Sequence, residues 1–471
     1  MRTTKSRRRA LMLATLLLMG ALAACAAGAT DQPAPRAAAN ADAASSAPSA
    51  DAPPAPTPAP DPAASPTPTG EVGDKAGVSA AAEWPQWRGP NRDGQAAGVA
   101  APQAWPKELK PRWRVDVGIG HASPVVSGGL IYQFARQGEE EVLLALDAAT
   151  GKEVWRAGAV PAPYTMNPAA LGHGKGPKST PVVAGGRVFT LGIAGLLSAH
   201  DAKTGRLLWR KDFSKQYPTT SPLYGTAMSP IVEGSLLIAH VGGHDKGALT
   251  AFDAATGAVK WSYDADGPAY SSPVVLTVGG ERQLVTFTQK ELVAVSAATG
   301  APLWKLPAKT SYDTNCNTPV VYKDTVVVSL EEQGLVALRP AREGGKWAAR
   351  EVWRNEENEL YMNTPVLHGG VLYGLSTRKK GQFFAVDAAT GKTLWQGPGR
   401  MGENASILNL SGTLLALTND AVLYVMPAPA PSFAPAAQYT VAASQTWAHP
   451  VFLGDQILVK DEKTLASLSL K

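Results

Sequence analysis

The stretch ALDAATGKEVW at 145–155 recurs almost letter for letter as AHDAKTGRLLW at 199–209, AFDAATGAVKW at 251–261, AVSAATGAPLW at 294–304 and AVDAATGKTLW at 385–395. A stretched copy, ALRPAREGGKWAAREVW, occupies 337–353. Each copy reads as one hairpin. Apolar and polar residues alternate into it as in a half-buried strand, with Leu144 and Leu146 on one face. Short residues then make the turn: an Asp such as Asp147 can bond backbone amides, and a Gly such as Gly151 can take the positive φ that reverses the chain. The Trp falls four residues past the Gly, on the returning strand.

Repeat starts lie about 43 to 54 residues apart, a period that means stacked supersecondary units. A second signature fills the intervals: SPVVSGGLIY from Ser123, TPVVAGGRVF from Thr180, SPIVEGSLLI from Ser229, SPVVLTVGGERQLV from Ser272, TPVVYKDTVVV from Thr318 and TPVLHGGVLY from Thr364. Weaker versions follow, ASILNLSGTLLAL from Ala405 and HPVFLGDQILV from His449. These make eight units of four antiparallel strands, an all-β chain forming a single eight-bladed β-propeller. The last unit, LASLSLK, has a third strand but no Trp, whereas PRWRVDVG from Pro111 has a Trp-bearing fourth strand with nothing before it. Together they complete blade eight. Trp113 then joins Trp155, Trp209, Trp261, Trp304, Trp353 and Trp395 as seven equivalent residues, with Tyr439 or nothing in that role in blade seven.

The pattern Ala-x-Asp-x-x-Thr-Gly-x-x-x-Trp resembles the tryptophan-docking repeat of the PQQ-like propellers. That superfamily includes quinoprotein alcohol dehydrogenases and the lipoprotein BamB of the outer-membrane β-barrel assembly machine. The resemblance covers about 360 residues and is specific for fold, whereas fold alone does not carry chemistry.

Residues 1–24 read as a lipoprotein signal peptide. Arg2, Lys5, Arg7, Arg8 and Arg9 form a basic head, Ala10 to Ala24 is an apolar run, and Leu22-Ala23-Ala24-Cys25 matches a lipobox that makes Cys25 the lipidation site. Ala26 after the Cys favours the outer membrane, and Ser6-Arg7-Arg8 hints at twin-arginine export. The formal charge of +5 matches the five basic residues of this segment, so the rest of the chain is neutral overall. No basic run that would hold nucleic acid is found. Residues 25–83 are Ala, Pro, Ser, Thr, Asp and Gly with almost no large apolar side chain, a disordered tether. From residue 84 to 471 the chain reads as the propeller, beginning with WPQWRGPNRDG, where Trp84, Trp87 and later Trp105 serve as apolar anchors pinning the arriving chain across a blade.

Chemistry is expected where the connections from each fourth strand to the next first strand converge around the channel. The longest, Ala157 to Lys178, contains His173, Lys175 and Lys178 among glycines but lacks P-loop spacing. Three connections place Asn two residues before the strand-opening Pro or its equivalent: Asn317, Asn363 and Asn404. With Asp313, Asn315, Tyr361, Trp447 and His449 they form the candidate binding face.

The quinoprotein resemblance implies PQQ, a Ca²⁺ ion with oxygen ligands, a carboxylate base and a vicinal Cys-Cys disulfide. Cys25 and Cys316 are the only cysteines, and no haem-attachment motif occurs. No catalytic residue, metal site or cofactor is therefore expected. The expected function is a monomeric, lipid-anchored periplasmic scaffold binding an envelope protein, as the BamB resemblance implies, with membrane contact through the N-terminal lipid only. The alternatives are a quinoprotein dehydrogenase using PQQ with Ca²⁺, or a propeller that binds a small ligand.

Overall fold

Why the repeat folds as it does is visible in its turns. In the computed structural model, which describes residues 83–96 and 100–471, the Asp147 carboxylate accepts both the amide and the hydroxyl of Thr150, at 2.8 and 2.7 Å. Asp201 with Thr204, Asp253 with Thr256, and Asp387 with Thr390 repeat this double bond. The Thr of the motif is therefore part of the turn. The Gly that follows takes a φ near +70°, as Gly151 and Gly300 do, which a residue with a Cβ adopts only at a cost.

These hairpins are the outer halves of six of the eight four-stranded antiparallel sheets. Blade three is typical, with strands Ile231–Glu233, Leu236–Gly243, Lys246–Asp253 and Val259–Ala265 paired in sequence order. The short first strands of neighbouring blades approach each other and line the channel. Among the described residues the only helices are two 3-10 turns, Pro168–His173 and Arg378–Lys380. The eighth sheet closes as expected: Val451–Phe452, Gln456–Lys460 and Thr464–Ser469 are joined by Pro111–Asp116, with Trp113 opposite Ser467. Lys460, fully buried, grips this junction through the Gly120 carbonyl at 3.1 Å.

Each docked Trp bridges to the next blade. Trp113 lies against Gly151, Trp155 against Gly205, Trp209 against Gly257, Trp261 against Gly300 and Trp353 against Gly391. The bare Gly is needed because an added methyl would collide with the indole. Several indoles also donate to the carbonyl of the Ala following the turn Asp or Ser: Trp209 to Ala254, Trp261 to Ala297 and Trp353 to Ala388, at 3.0 to 3.3 Å. Trp155 makes no such bond; the Ala202 carbonyl instead accepts the Tyr132 hydroxyl at 3.0 Å.

Two positions depart from the pattern. Trp304 faces the stretched hairpin of blade five and turns its N–H to Gln283 within its own blade at 2.8 Å. That hairpin, Gly334–Glu343 and Lys346–Asn355, instead lays Trp347 and Ala349 on the blade-four core. In blade seven, buried Tyr439 takes the outer-strand role and donates to the Pro106 carbonyl at 2.6 Å.

Candidate functional site

A hydrogen-bonded belt runs around the channel, formed by the Ser or Thr that opens six of the eight first strands. Ser123 N–H donates to the Thr180 hydroxyl, Thr180 to Ser229, Ser229 to Ser272, Ser272 to Thr318 and Thr318 to Thr364, at 3.0 to 3.2 Å. His449 N–H returns to Ser123 at 2.8 Å. The belt breaks at blade seven, where Ala405 offers no hydroxyl. Side chains that sequence reading treats as strand punctuation thus stitch blade to blade.

The segment after Trp84 does more than pin the chain across a blade. Trp84 pairs with Val126 of a blade-one strand, as an anchor would. The chain then enters the channel and plugs one mouth. Arg92, fully buried, donates to the carbonyls of Ser229, Pro230 and Pro273 at 2.9 to 3.1 Å, and Arg88 to that of Pro365 at 2.6 Å. Burial draws Arg88 down to about 10 and Arg92 to about 9, so both stay charged at neutral pH. Both guanidiniums lie 5.6 to 5.7 Å from the ring centre of Trp87, a cation–π arrangement. Trp87 is therefore not a blade anchor but a wall of the channel.

Above Trp87 is a cavity of about 510 Å³ opening at the other mouth. Ser123, Thr180, Ser229, Ser272 and Thr318 of the belt line it, with Tyr224, Tyr270, Tyr361 and Trp447 supplying aromatic surface. The long connection after blade one folds over it: His173 lies 4.9 Å from Trp447 between ring centres, and its carbonyl is 2.9 Å from His121 Nε2. Burial, with Lys178 and Lys460 adding to it, draws His121 down to about 3, leaving it neutral. Lys178 donates to the Tyr224 carbonyl at 2.6 Å, and burial lowers it to about 8. Cys316 shares the wall, its thiol pushed up to about 12 by burial.

The residues of the predicted binding face separate into two sets. Tyr361, Trp447 and Asn404 line the cavity. The Asn404 side-chain oxygen is buried without a hydrogen-bond partner. Asn315 commits its amide to the carbonyls of Thr288, Gln289 and Ala308. Asn317 exchanges bonds with both backbone groups of Ser329, and Asn363 does so with Leu375. In blade seven the backbone is held from the opposite side, by Asn419 accepting from Glu403 and Asn404, which frees the Asn404 oxygen. Asp313 takes a φ of +55° in the adjoining loop and is not among the cavity-lining residues. His449 is buried, its ring 6.3 Å from Trp87, and burial draws it down to about 3. Cys25 lies outside the described residues. Sequence reading missed the cavity roles of His121, Lys178, Tyr224, Tyr270 and Trp87; His173 and Lys178 stood out only as loop residues.

This donor set does not fit a metal-assisted quinone. The cavity-lining residues include no carboxylate to act as base or to hold Ca²⁺, and no cluster of three His, Cys, Asp or Glu suited to a metal occurs among the described residues.

Eight four-stranded sheets, seven of them carrying the repeat Trp on the outer strand and one closed by the N-terminal strand, define a propeller of the PQQ-like repeat class. Residues 138–397 match the family model described as outer membrane protein assembly factor BamB, and the chain belongs to that family. It is 27% identical to BamB of Shewanella oneidensis over 271 residues, 54% of this chain and 65% of that protein. Thus the chain matches just under two thirds of that relative's length. Among solved structures, BamB from Moraxella catarrhalis superposes with a TM-score of 0.55 at 14% identity, covering 77% of this chain and 99% of the other. A europium-containing methanol dehydrogenase gives 0.60 at 14% identity, covering 82% and 90%. Both share the fold.

Proposed function

We propose that this chain is a lipid-anchored periplasmic scaffold that binds a protein component of outer-membrane protein assembly. In this reading residues 1–24 are the signal peptide, Cys25 carries the lipid, residues 25–83 are the tether and residues 84–471 act as a monomeric propeller. The observation that carries the reading is an apolar rim at the open mouth. Tyr312, at 68% exposed, lines the cavity mouth with exposed Tyr361 and Met362, and exposed Leu171 and Leu223 directly follow or precede the lining residues Ala170 and Tyr224 in the chain. Exposed apolar clusters of this kind mark protein contact surfaces, and membership of the BamB family supports a partner within the assembly machine. At the opposite mouth the chain's own residues 86–95 lie across the channel, lining a cavity of about 690 Å³ with polar and charged side chains rather than an apolar rim. The test is photocrosslinking from Tyr312 in intact cells. Capture of a protein component of outer-membrane protein assembly is expected, with loss of that capture in Leu223→Glu/Met362→Glu. Undiminished capture in the double variant would refute the assignment of this rim.

A further inference from the structure

We propose that residues 163–176 are a gate over the mouth of the channel cavity, closed in this structure by an aromatic latch and able to swing away while the ring stays folded. Both ends of the segment are pinned. At one end the Ala162 N–H donates to the Glu139 carbonyl at 3.1 Å, and the Ala162 carbonyl accepts from Arg136 at 2.8 Å. At the other the Pro177 carbonyl accepts the His121 and Ala122 N–H groups at 2.7 and 3.0 Å. Between these pins the segment bonds to itself, Ala169 and Ala170 to Asn167 and Gly174 to Leu171. Among the described residues its single hydrogen bond to the rest of the chain is the His173 carbonyl accepting from His121 Nε2. A stretch so sparsely bonded opens at a far smaller cost than the sheets around it.

Its side chains close the mouth. Ala169, Ala170 and His173 line the cavity. The His173 ring stands edge-on to Trp447 at 4.9 Å and to His121 at 6.2 Å, a latch of ring edges. Tyr164 packs against Gly225 with its hydroxyl buried and unpaired, a cost that opening to water removes. The glycines mark the hinge. Gly174 takes a φ of +64°, and Gly176 lies so close to Gly120 that a side chain would collide. Gly172 meets neither need: its φ is not left-handed, and an added methyl would find nothing within 4 Å. The closed arrangement gives no reason for glycine there, whereas a backbone that changes conformation does. The gate is a property of the isolated chain and stands apart from the scaffold reading.

The test uses the full-length chain carrying Cys25→Ser, so that Cys316, on the cavity wall, is the one thiol. N-ethylmaleimide is small enough to pass the closed mouth, whereas fluorescein maleimide reaches Cys316 only past an open gate. Gly172→Ala restricts the freed backbone and is expected to slow labelling by the bulky reagent about two- to fivefold, while N-ethylmaleimide reacts as before. A destabilised fold cannot produce that slowing. Trp447→Ala removes the latch, and hydrogen exchange at the amides of residues 163–176 is expected to quicken at least about threefold, with the amides of the first strands unchanged. Failure of the bulky reagent to label, an unchanged bulky rate in Gly172→Ala, slowing of both reagents alike, or gate exchange unmoved by Trp447→Ala would overturn the proposal.

Discussion

Replacing Gly300 with Ala isolates the energy of one blade junction if it is read against Gly280→Ala in the same blade. Both glycines hold positive φ, +71° and +79°, so both substitutions incur a backbone cost of about 1–2 kcal/mol. A methyl at Gly280 meets nothing within 4 Å. At Gly300 it would come within 2.7 Å of Trp261 Cδ2 and closer still to Cε3. Carbon atoms prefer about 3.5–4.0 Å, so the indole must withdraw by roughly 1 Å. Withdrawal strains the core by about 1–3 kcal/mol and weakens the 3.3 Å bond to the Ala297 carbonyl, which contributes about 1 kcal/mol. Gly300→Ala is therefore expected to lose about 2–3 kcal/mol more than Gly280→Ala. Urea unfolding followed by far-UV circular dichroism and Trp fluorescence gives the comparison. Losses that agree within about 0.5 kcal/mol would refute the idea that Gly-Trp docking joins the blades.

Trp261→Ala should cost about 3–5 kcal/mol as a large core truncation, and a midpoint shift equivalent to under about 1 kcal/mol would contradict docking. Deleting residues 84–118 removes both plug and closing strand, so the monomeric ring should be lost; an unchanged melting transition would argue against this closure. Glu141 is buried against the Ile193 amide, and burial raises its carboxyl from 4.5 to about 7. Between about pH 4.5 and 7 the folded chain keeps a proton the unfolded chain has released, so stability falls as pH rises through that window. Glu141→Gln should be near neutral at pH 4 and stabilising by about 2–4 kcal/mol at pH 8, and a pH-independent difference in urea midpoints would exclude this origin. Cys25→Ser should move the protein from the outer-membrane fraction to the soluble periplasm; an exported variant that stays membrane-bound would contradict lipid anchoring at Cys25.

The architecture was legible because it is periodic. Six hairpin copies and eight strand openings mark every blade, and the orphan Trp113 strand shows where the ring closes. The site was legible only in part, because periodicity says nothing about residues that break it. Asn317, Asn363 and Asn404 occupy the same place in the repeat, yet only the last keeps a free oxygen, since Asn419 in the turn after the second strand holds the backbone for it. That depends on a partner 15 residues away, with no counterpart in the motif. Trp87 looked like an anchor because its neighbours Trp84 and Trp105 are apolar too; what sends it into the channel is the Arg88 and Arg92 reach for carbonyls 137 to 277 positions along the chain. The cavity walls come from loops of several blades, and no local pattern announces such a convergence.

The shared eighth blade also sets an order of events. Lys460 meets Gly120 across 340 positions of sequence, and the Pro111–Asp116 strand, made first, finds its partner Thr464–Ser469 only when the last turn of the chain has emerged. Until then the newborn molecule is an open fan with two raw strand edges, each able to recruit a foreign strand. Loop closure over so long a span is slow. The ring is therefore vulnerable until its C-terminal strand has docked, and a protease or chaperone that recognises naked β-edges would discriminate the unfinished fan from the sealed ring.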